Sequence, residues 1–223
     1  ELVDAQFNLG LVYRFDLAQS ERAVSHWQAA LAIEPDHVPS HDHLGAALRA
    51  QGHPDAAVDH WRRIIELEPR NADAHYNLGL VYAYDLDRPE EAIGCWRASV
   101  RIRPEHHGAQ YNLGLLLYGQ GRYAEALSHW KAAVALDPTD ARSYNSLGSA
   151  YRALADYEAA IGAWKRSIEL DPNYTKAHFN MGLTYLNDLG QMGEAHRYLQ
   201  RVLELQPRHP RADEIRRVLA AKL

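Results

Sequence analysis

Glycine returns every 34 or 35 residues through this chain, at Gly10, Gly45, Gly79, Gly114, Gly148 and Gly182. Prolines keep the same interval at Pro35, Pro69, Pro104, Pro138, Pro172 and Pro207. So do alanines at Ala23, Ala57, Ala92, Ala126, Ala160 and Ala195, and tryptophans at Trp27, Trp61, Trp96, Trp130 and Trp164. Four series in one phase require a tandem array of a single supersecondary unit.

The stretch Tyr111 to Pro138 shows what that unit is. Leu113, Gly114 and Leu117 share a stripe at helical spacing, and Ala126, Trp130 and Ala133 share another. Gln120 and Gly121 mark a turn between them. Two striped helices joined by a turn form a hairpin that cannot bury both faces alone, so hairpins must stack.

The order Leu-Gly, then Tyr or Leu, then Ala, a large aromatic four residues on, and Pro resembles the tetratricopeptide repeat. The resemblance implies an all-α fold, a right-handed α-solenoid superhelix of helix-turn-helix units. It divides 1–209 into six repeats, 3–37, 38–71, 72–106, 107–140, 141–174 and 175–209. Residues 210–223 complete the chain as a C-terminal capping helix, with Ile215, Val218, Leu219 and Leu223 on one face and Arg217 at the glycine position. This family mostly binds proteins, and its members bind very different ones.

Composition excludes several alternatives. A net charge of −5 over 223 residues offers phosphate no basic face, so nucleic acid is not an expected partner. No apolar run approaches the ~20 residues that cross a bilayer, so no membrane insertion is expected. The single cysteine, Cys95, has neither a disulfide partner nor a second cysteine for a metal motif. It reads as a small residue on a second helix. The chain begins at Glu1, already inside a repeat, and reads as an excised or processed piece. Compartment stays open, with a cytoplasmic setting favoured over a periplasmic one.

Repeats one, three and six carry Asp-Leu near the turn, at Asp16 and Leu17, Asp85 and Leu86, and Asp188 and Leu189. Repeats two and four place Gly52 and Gly121 there instead. The Asp-Leu form is expected to close the hairpin differently, lengthening the first helix and tucking the leucine against the second. Second helices are expected to start at Ser20, as a cap before Glu21, and at Pro54 and Pro89. Acidic or basic residues before proline end them, as at Glu34-Pro35 and Asp171-Pro172.

Thirteen histidines raise the question of a metal or catalytic centre. His41, His75 and His178 occupy one repeat position and read as half-buried spacers. Histidines at equivalent places lie about two helix diameters of 8 to 10 Å apart, too far to share an ion. In the cluster of His37, His41 and His43, Pro39 argues against helical spacing. There is no HExxH, Walker loop or GxSxG. No catalytic residues, cofactors or metal ligands are expected, and the chain is not read as an enzyme.

The informative surface is the far side of the first helices. One column along it reads Asn8, His43, Asn77, Asn112, Ser146 and Asn180, and its neighbour Phe7, Asp42, Tyr76, Tyr111, Asn145 and Phe179. An amide offers two donors and an acceptor, so a row of asparagines can hold extended peptide backbone at ~0.5 to 1.5 kcal/mol per bond. The column resembles the asparagine ladder of O-GlcNAc transferases, which holds peptide backbone, although His43 and Ser146 interrupt it. Arg142, Arg152 and Lys176 gather in repeats five and six and resemble the carboxylate clamp of chaperone-binding members. Phe7 and Leu11 stand where that clamp has lysine and asparagine.

The expected activity is a protein-interaction scaffold that binds an extended peptide or protein segment in a concave groove. The candidate contacts are Asn8, Asn77, Asn112, Asn145, Asn180, Tyr76, Tyr111, Arg142, Arg152 and Lys176, with Tyr84 and Tyr118 adding rings. An acidic ligand would prefer repeats five and six. Two rival readings exist: self-association through an uncapped first repeat, where Leu2, Val3 and Val12 are expected to be open, or a substrate-recognition arm of a larger enzyme such as a glycosyltransferase.

Overall fold

A computed structural model describes residues 1–220. Thirteen α-helices and no strand occur among the described residues. In order they are α1 (Leu2–Leu11), α2 (Ser20–Ile33), α3 (Val38–Ala50), α4 (Pro54–Leu67), α5 (Ala72–Tyr84), α6 (Pro89–Ile102) and α7 (His107–Gly119). Next come α8 (Tyr123–Leu136), α9 (Ala141–Ala153), α10 (Tyr157–Leu170), α11 (Thr175–Leu183), α12 (Met192–Leu205) and α13 (Ala212–Ala220). They form two compact units, Glu1–Ala109 and Gln110–Leu223. Within each unit, odd- and even-numbered helices pair as hairpins, and each hairpin packs on the next.

Helix starts obey local chemistry. Pro54 and Pro89 open α4 and α6, where a missing N–H removes no helical bond. Asn71, Asp140 and Asp156 cap α5, α9 and α10 through side-chain oxygens that accept backbone N–H bonds. Ser20 departs from expectation. It is the first helical residue of α2, preceded by Gln19, and its hydroxyl accepts a 2.7 Å bond from Arg14 Nη1 rather than capping the helix. At the other end, the residue before each proline leaves the helix for extended backbone, as Glu34 (φ −129°) and Asp171 (φ −136°) do, because proline Cδ blocks the helical conformation.

The tryptophans lie at the centre of the hairpins, each no more than 2% exposed. Four of the indoles also tie the two helices of a pair together by hydrogen bonds, whereas Trp27 Nε1 has no partner. Trp96, Trp130 and Trp164 donate to the backbone carbonyls of Tyr76, Tyr111 and Asn145 at 3.1, 3.1 and 3.0 Å. Trp61 donates instead to the Asp42 carboxylate at 2.9 Å. The expected stripes are buried as a set: Leu113, Leu117, Ala126 and Ala133 are all 0% exposed.

The Asp-Leu repeats close their hairpins one residue wider. In the short form the returning N–H reaches back five residues, from His53 to Leu48 O, Arg122 to Leu117 O and Asp156 to Tyr151 O. The long form reaches back six, from Gln19 to Tyr13 O, Arg88 to Tyr82 O and Gln191 to Tyr185 O. The leucine N–H supplies the preceding bond, for example Leu86 to Val81 O at 3.1 Å. In repeats one and six this winds the helix end into π-helical turns, Val12–Asp16 and Thr184–Asp188. Leu189 packs against the core formed by Trp164, Met181 and Ala195 as expected, whereas Leu17 stays 50% exposed.

At the C-terminal end α13 sets Ile215, 2% exposed, against Leu199 and Val202, with Val218 and Leu219 beside it. The fourth residue expected on that face, Leu223, lies outside the described residues.

Candidate binding faces of the first helices

In the first unit, the Asp42 carboxylate joins three elements. It accepts from Trp61 within its own hairpin, and Asn77 Nδ2 of the next first helix approaches the same oxygen at 3.3 Å. In the second unit, Asn180 Nδ2 donates to Asn145 Oδ1 at 3.0 Å. Both contacts join residues 35 positions apart, so the amides run from one first helix to the next. Asn112 and Asn145 are each 8% exposed, Ser146 is buried, Asn77 and Asn180 are half-buried, and Asn8 is exposed. Asn77 and Asn180 are thus held by hydrogen bonds that restrict their rotamers, whereas Asn8 is exposed. Ligand backbone could reach only the donor and acceptor capacity left over.

In the neighbouring column Phe7, Tyr76 and Phe179 rest on histidines that stand two residues after repeat prolines. Tyr76 packs on His106 with ring centroids 4.4 Å apart, Phe179 on His209 at 4.8 Å and Phe7 on His37 at 5.4 Å. Burial lowers the pKa of His106, reinforced by Arg103 and opposed by Asp73, and burial with Arg211 does the same for His209. Neutral rings are thereby favoured near pH 7. The sequence carries a signal for these histidines that motif and metal-spacing arguments pass over, namely Pro-x-His at 35–37, 104–106 and 207–209.

The three candidate cations differ in availability. Arg142 lies over the Tyr111 ring at 5.6 Å and touches Asp140 at 3.1 Å, with its side chain 63% exposed. Arg152 is held by Asp188 at 2.6 Å, both side chains largely covered. Lys176 is exposed on the first turn of α11. Tyr84 is 56% exposed, and Tyr118 packs against Trp130 and Tyr123 at 5.5 and 5.1 Å.

Other histidines hold the frame together. His41, His75 and His178 each direct Nε2 to the carbonyl of a proline six residues earlier, at 2.8, 3.3 and 3.0 Å. A carbonyl only accepts, so these nitrogens carry protons. His41 Nδ1 therefore accepts, when neutral, from His60 Nδ1 at 2.8 Å. Burial, then His41, lowers the pKa of His60 against Asp59. Among the described residues no three His, Cys, Asp or Glu side chains are placed to hold a metal ion. Burial raises the Cys95 thiol to about 11, which keeps it protonated and unreactive. No helix among the described residues is long and apolar enough to cross a membrane.

Sequence profiles described as tetratricopeptide repeat match 81–141, 129–162 and 175–209, and one described as TPR repeat matches 45–83 and 148–188. Curated protein sequences give no match. Among solved structures, MamA from Desulfovibrio magneticus RS-1 (residues 41 to the end) is 26% identical. It matches 76% of this chain and 95% of its own, with a TM-score of 0.70. YrrB, described as a TPR protein with an unusual peptide-binding site, is 21% identical over 86% of this chain and 97% of its own, TM-score 0.76. Pseudomonas aeruginosa pilF is 20% identical over 97% of both chains, TM-score 0.79. The last two likenesses concern the fold alone.

Proposed function

Because this chain belongs to the tetratricopeptide repeat family, a family of protein-interaction scaffolds, we propose that it is a non-enzymatic scaffold whose first helices bind an extended segment of another protein. One observation carries this reading: each unit has a half-buried amide on a first helix held by a neighbouring first helix, Asn77 by Asp42 and Asn180 by Asn145, in a column next to aromatic rings. Fixed donors and rings lose little rotamer entropy when a ligand arrives, which favours binding without a deep pocket. The peptide-binding site in the description of YrrB supports the choice of a peptide as ligand.

Within the second unit the ligand is acidic. Arg142 over Tyr111 and Lys176 present cationic groups along α9 and α11, whereas Arg211, over Phe179 at 5.1 Å, is already paired with Glu214. Arg152 adds little, since Asp188 occupies and neutralises its guanidinium. Tyr76, Asn77 and Asn8 serve the first unit, and Asn112, Asn145 and Asn180 the second, as backbone contacts.

A library of extended fluorescent peptides, half of them rich in Asp and Glu, tests this on the full chain. The acidic half is expected to bind, and Arg142→Glu with Lys176→Glu to weaken it at least tenfold while circular dichroism stays unchanged. Equal binding by the charge-reversed chain would refute the acidic ligand; binding by no peptide would refute the reading as a whole.

A further inference from the structure

In three repeats a side chain of the first helix bonds one of the second helix 19 or 20 positions later. His26 Nδ1 donates to Gln6 Oε1 at 2.8 Å, His129 Nδ1 to Gln110 Oε1 at 2.7 Å, and His60 Nδ1 to His41 Nδ1 at 2.8 Å. In repeat six the corresponding pair is His178 and Tyr198, whose ring centroids lie 6.1 Å apart without a bond. His178 is 6% exposed, and its Nε2 donates to the Pro172 carbonyl, so in the neutral ring Nδ1 holds a lone pair. That nitrogen is buried and has no hydrogen-bond partner. A buried acceptor of this kind is completed by a donor.

His178 lines an open cavity of about 780 Å³ between α10 and α12, a volume in the range of small-molecule sites. Ile168, Pro172 and Tyr198 give it apolar walls. Its acids are already engaged: Glu169 accepts from Arg166 at 3.0 Å and Glu204 from Arg201 at 3.1 Å. Two of its cations are open. Lys165 is exposed and makes no hydrogen bond or ion pair with the described residues. Arg197, its side chain 74% exposed, lies 3.8 Å from Glu194 and over the Tyr198 ring. The rim is therefore positive and the buried wall accepting.

The first unit repeats the groove with different walls, in a volume of about 380 Å³. Ile65 and His75 stand where Ile168 and His178 do, but Gly94 and Cys95 replace Arg197 and Tyr198. Arg62, the counterpart of Lys165, donates to the Tyr82 hydroxyl at 2.8 Å. The open cationic rim is particular to the second unit.

We propose that the cavity between α10 and α12 binds a small hydroxyaryl carboxylate. The carboxylate pairs with Lys165 and Arg197, the ring lies against Ile168, Pro172 and Tyr198, and the hydroxyl donates to His178 Nδ1. A ring is a rigid spacer between the cationic rim and the buried acceptor, and loses little conformational entropy on binding. An analogue without the hydroxyl leaves the acceptor bare, and one with an amine for the carboxylate is repelled by the rim. The cavity lies between second helices, apart from the proposed peptide-binding face, and its test does not depend on that reading.

The probes are para-hydroxyphenylacetate, phenylacetate and tyramine, titrated into the full chain while the histidine ring-nitrogen resonances are followed. Para-hydroxyphenylacetate is expected to shift His178 Nδ1 saturably. Phenylacetate should bind roughly fivefold more weakly and without that shift, for want of one hydrogen bond, and tyramine should not bind. Lys165→Gln with Arg197→Gln is expected to weaken para-hydroxyphenylacetate about tenfold while circular dichroism stays unchanged. His75, whose Nε2 makes the equivalent carbonyl bond at 3.3 Å in the first unit, is the internal control and should not move. No saturable shift at His178, or equal binding of phenylacetate or tyramine, would overturn the proposal. So would a response at His75 as large as that at His178, or binding indifferent to the double substitution.

Discussion

The Trp164 indole occupies the space that a side chain at Gly148 would need: a Cβ there would lie 2.5 Å from Nε1. The same contact recurs between Gly114 and Trp130 at 2.5 Å. Alanine would gain up to ~1 kcal/mol in helix propensity but must displace a buried ring, at about 1–3 kcal/mol or more. Gly148→Ala is therefore expected to lose about 1–2 kcal/mol in urea unfolding. Gly162, also helical but with nothing within 4 Å of its Cβ position, is the control, and Gly162→Ala should gain about 0.5–1 kcal/mol.

Trp130 is 1% exposed, and its loss leaves a cavity and removes the indole bond to the Tyr111 carbonyl. Trp130→Ala should cost about 3–5 kcal/mol. Because hairpins are stabilised by their neighbours, exchange protection is expected to fall in α9 as well as in α7 and α8. A loss confined to α8 would contradict that coupling.

Arg152 and Asp188 are the half-buried ion pair of the second unit. Their geometry predicts a coupling of about 0.5–1 kcal/mol in a double-mutant cycle of Arg152→Ala and Asp188→Ala. That coupling should shrink in 1 M salt less than the coupling of the exposed pair Arg166 and Glu169, because water and ions screen the latter fully.

Folded-state pKa values lowered below the ordinary histidine value of 6.5 at His43, His60, His106 and His209 have one sign of effect. The unfolded chain takes these protons first as pH falls. Stability is thus fully present above about pH 6.5 and declines below it. His60→Asn retains a donor facing His41 and is expected to flatten the decline between about pH 7 and pH 5.5, measured as unfolding midpoints in urea.

Ala155 closes the turn between α9 and α10 at φ 60°, a left-handed conformation that costs an L-residue about 1–2 kcal/mol. Gly52 and Gly121 hold the equivalent place in two other hairpins. Ala155→Gly should stabilise the chain by about 0.5–1 kcal/mol in the same assay, since the relief exceeds the entropy lost by glycine.

Helix pairing was legible because its signals are local and repeated. Trp130 and Gly114 lie on known faces once the 34-residue phase is seen, and Pro54 names its own helix start. The site was legible only as a face. That Asn180 would meet Asn145, and Asn77 meet Asp42, depends on side-chain reach between helices 35 residues apart, which periodicity places side by side without orienting. The Ser20 cap failed for a related reason: Arg14 competes for its hydroxyl across the turn. His106 was missed because a lone histidine after a proline carries no chemistry until Tyr76 is seen lying on it.

The wider turn of the Asp-Leu repeats absorbs its additional residue entirely between the last buried position of one helix and the first of the next. Leu78 and Ala92 keep the burial of their counterparts in shorter repeats. A codon gained or lost at this point leaves both helix faces in phase, whereas the same change inside α5 would rotate every later contact by about 100°. Length variation along such a gene should therefore collect at Asp16, Asp85 and Asp188 and spare the tryptophan helices.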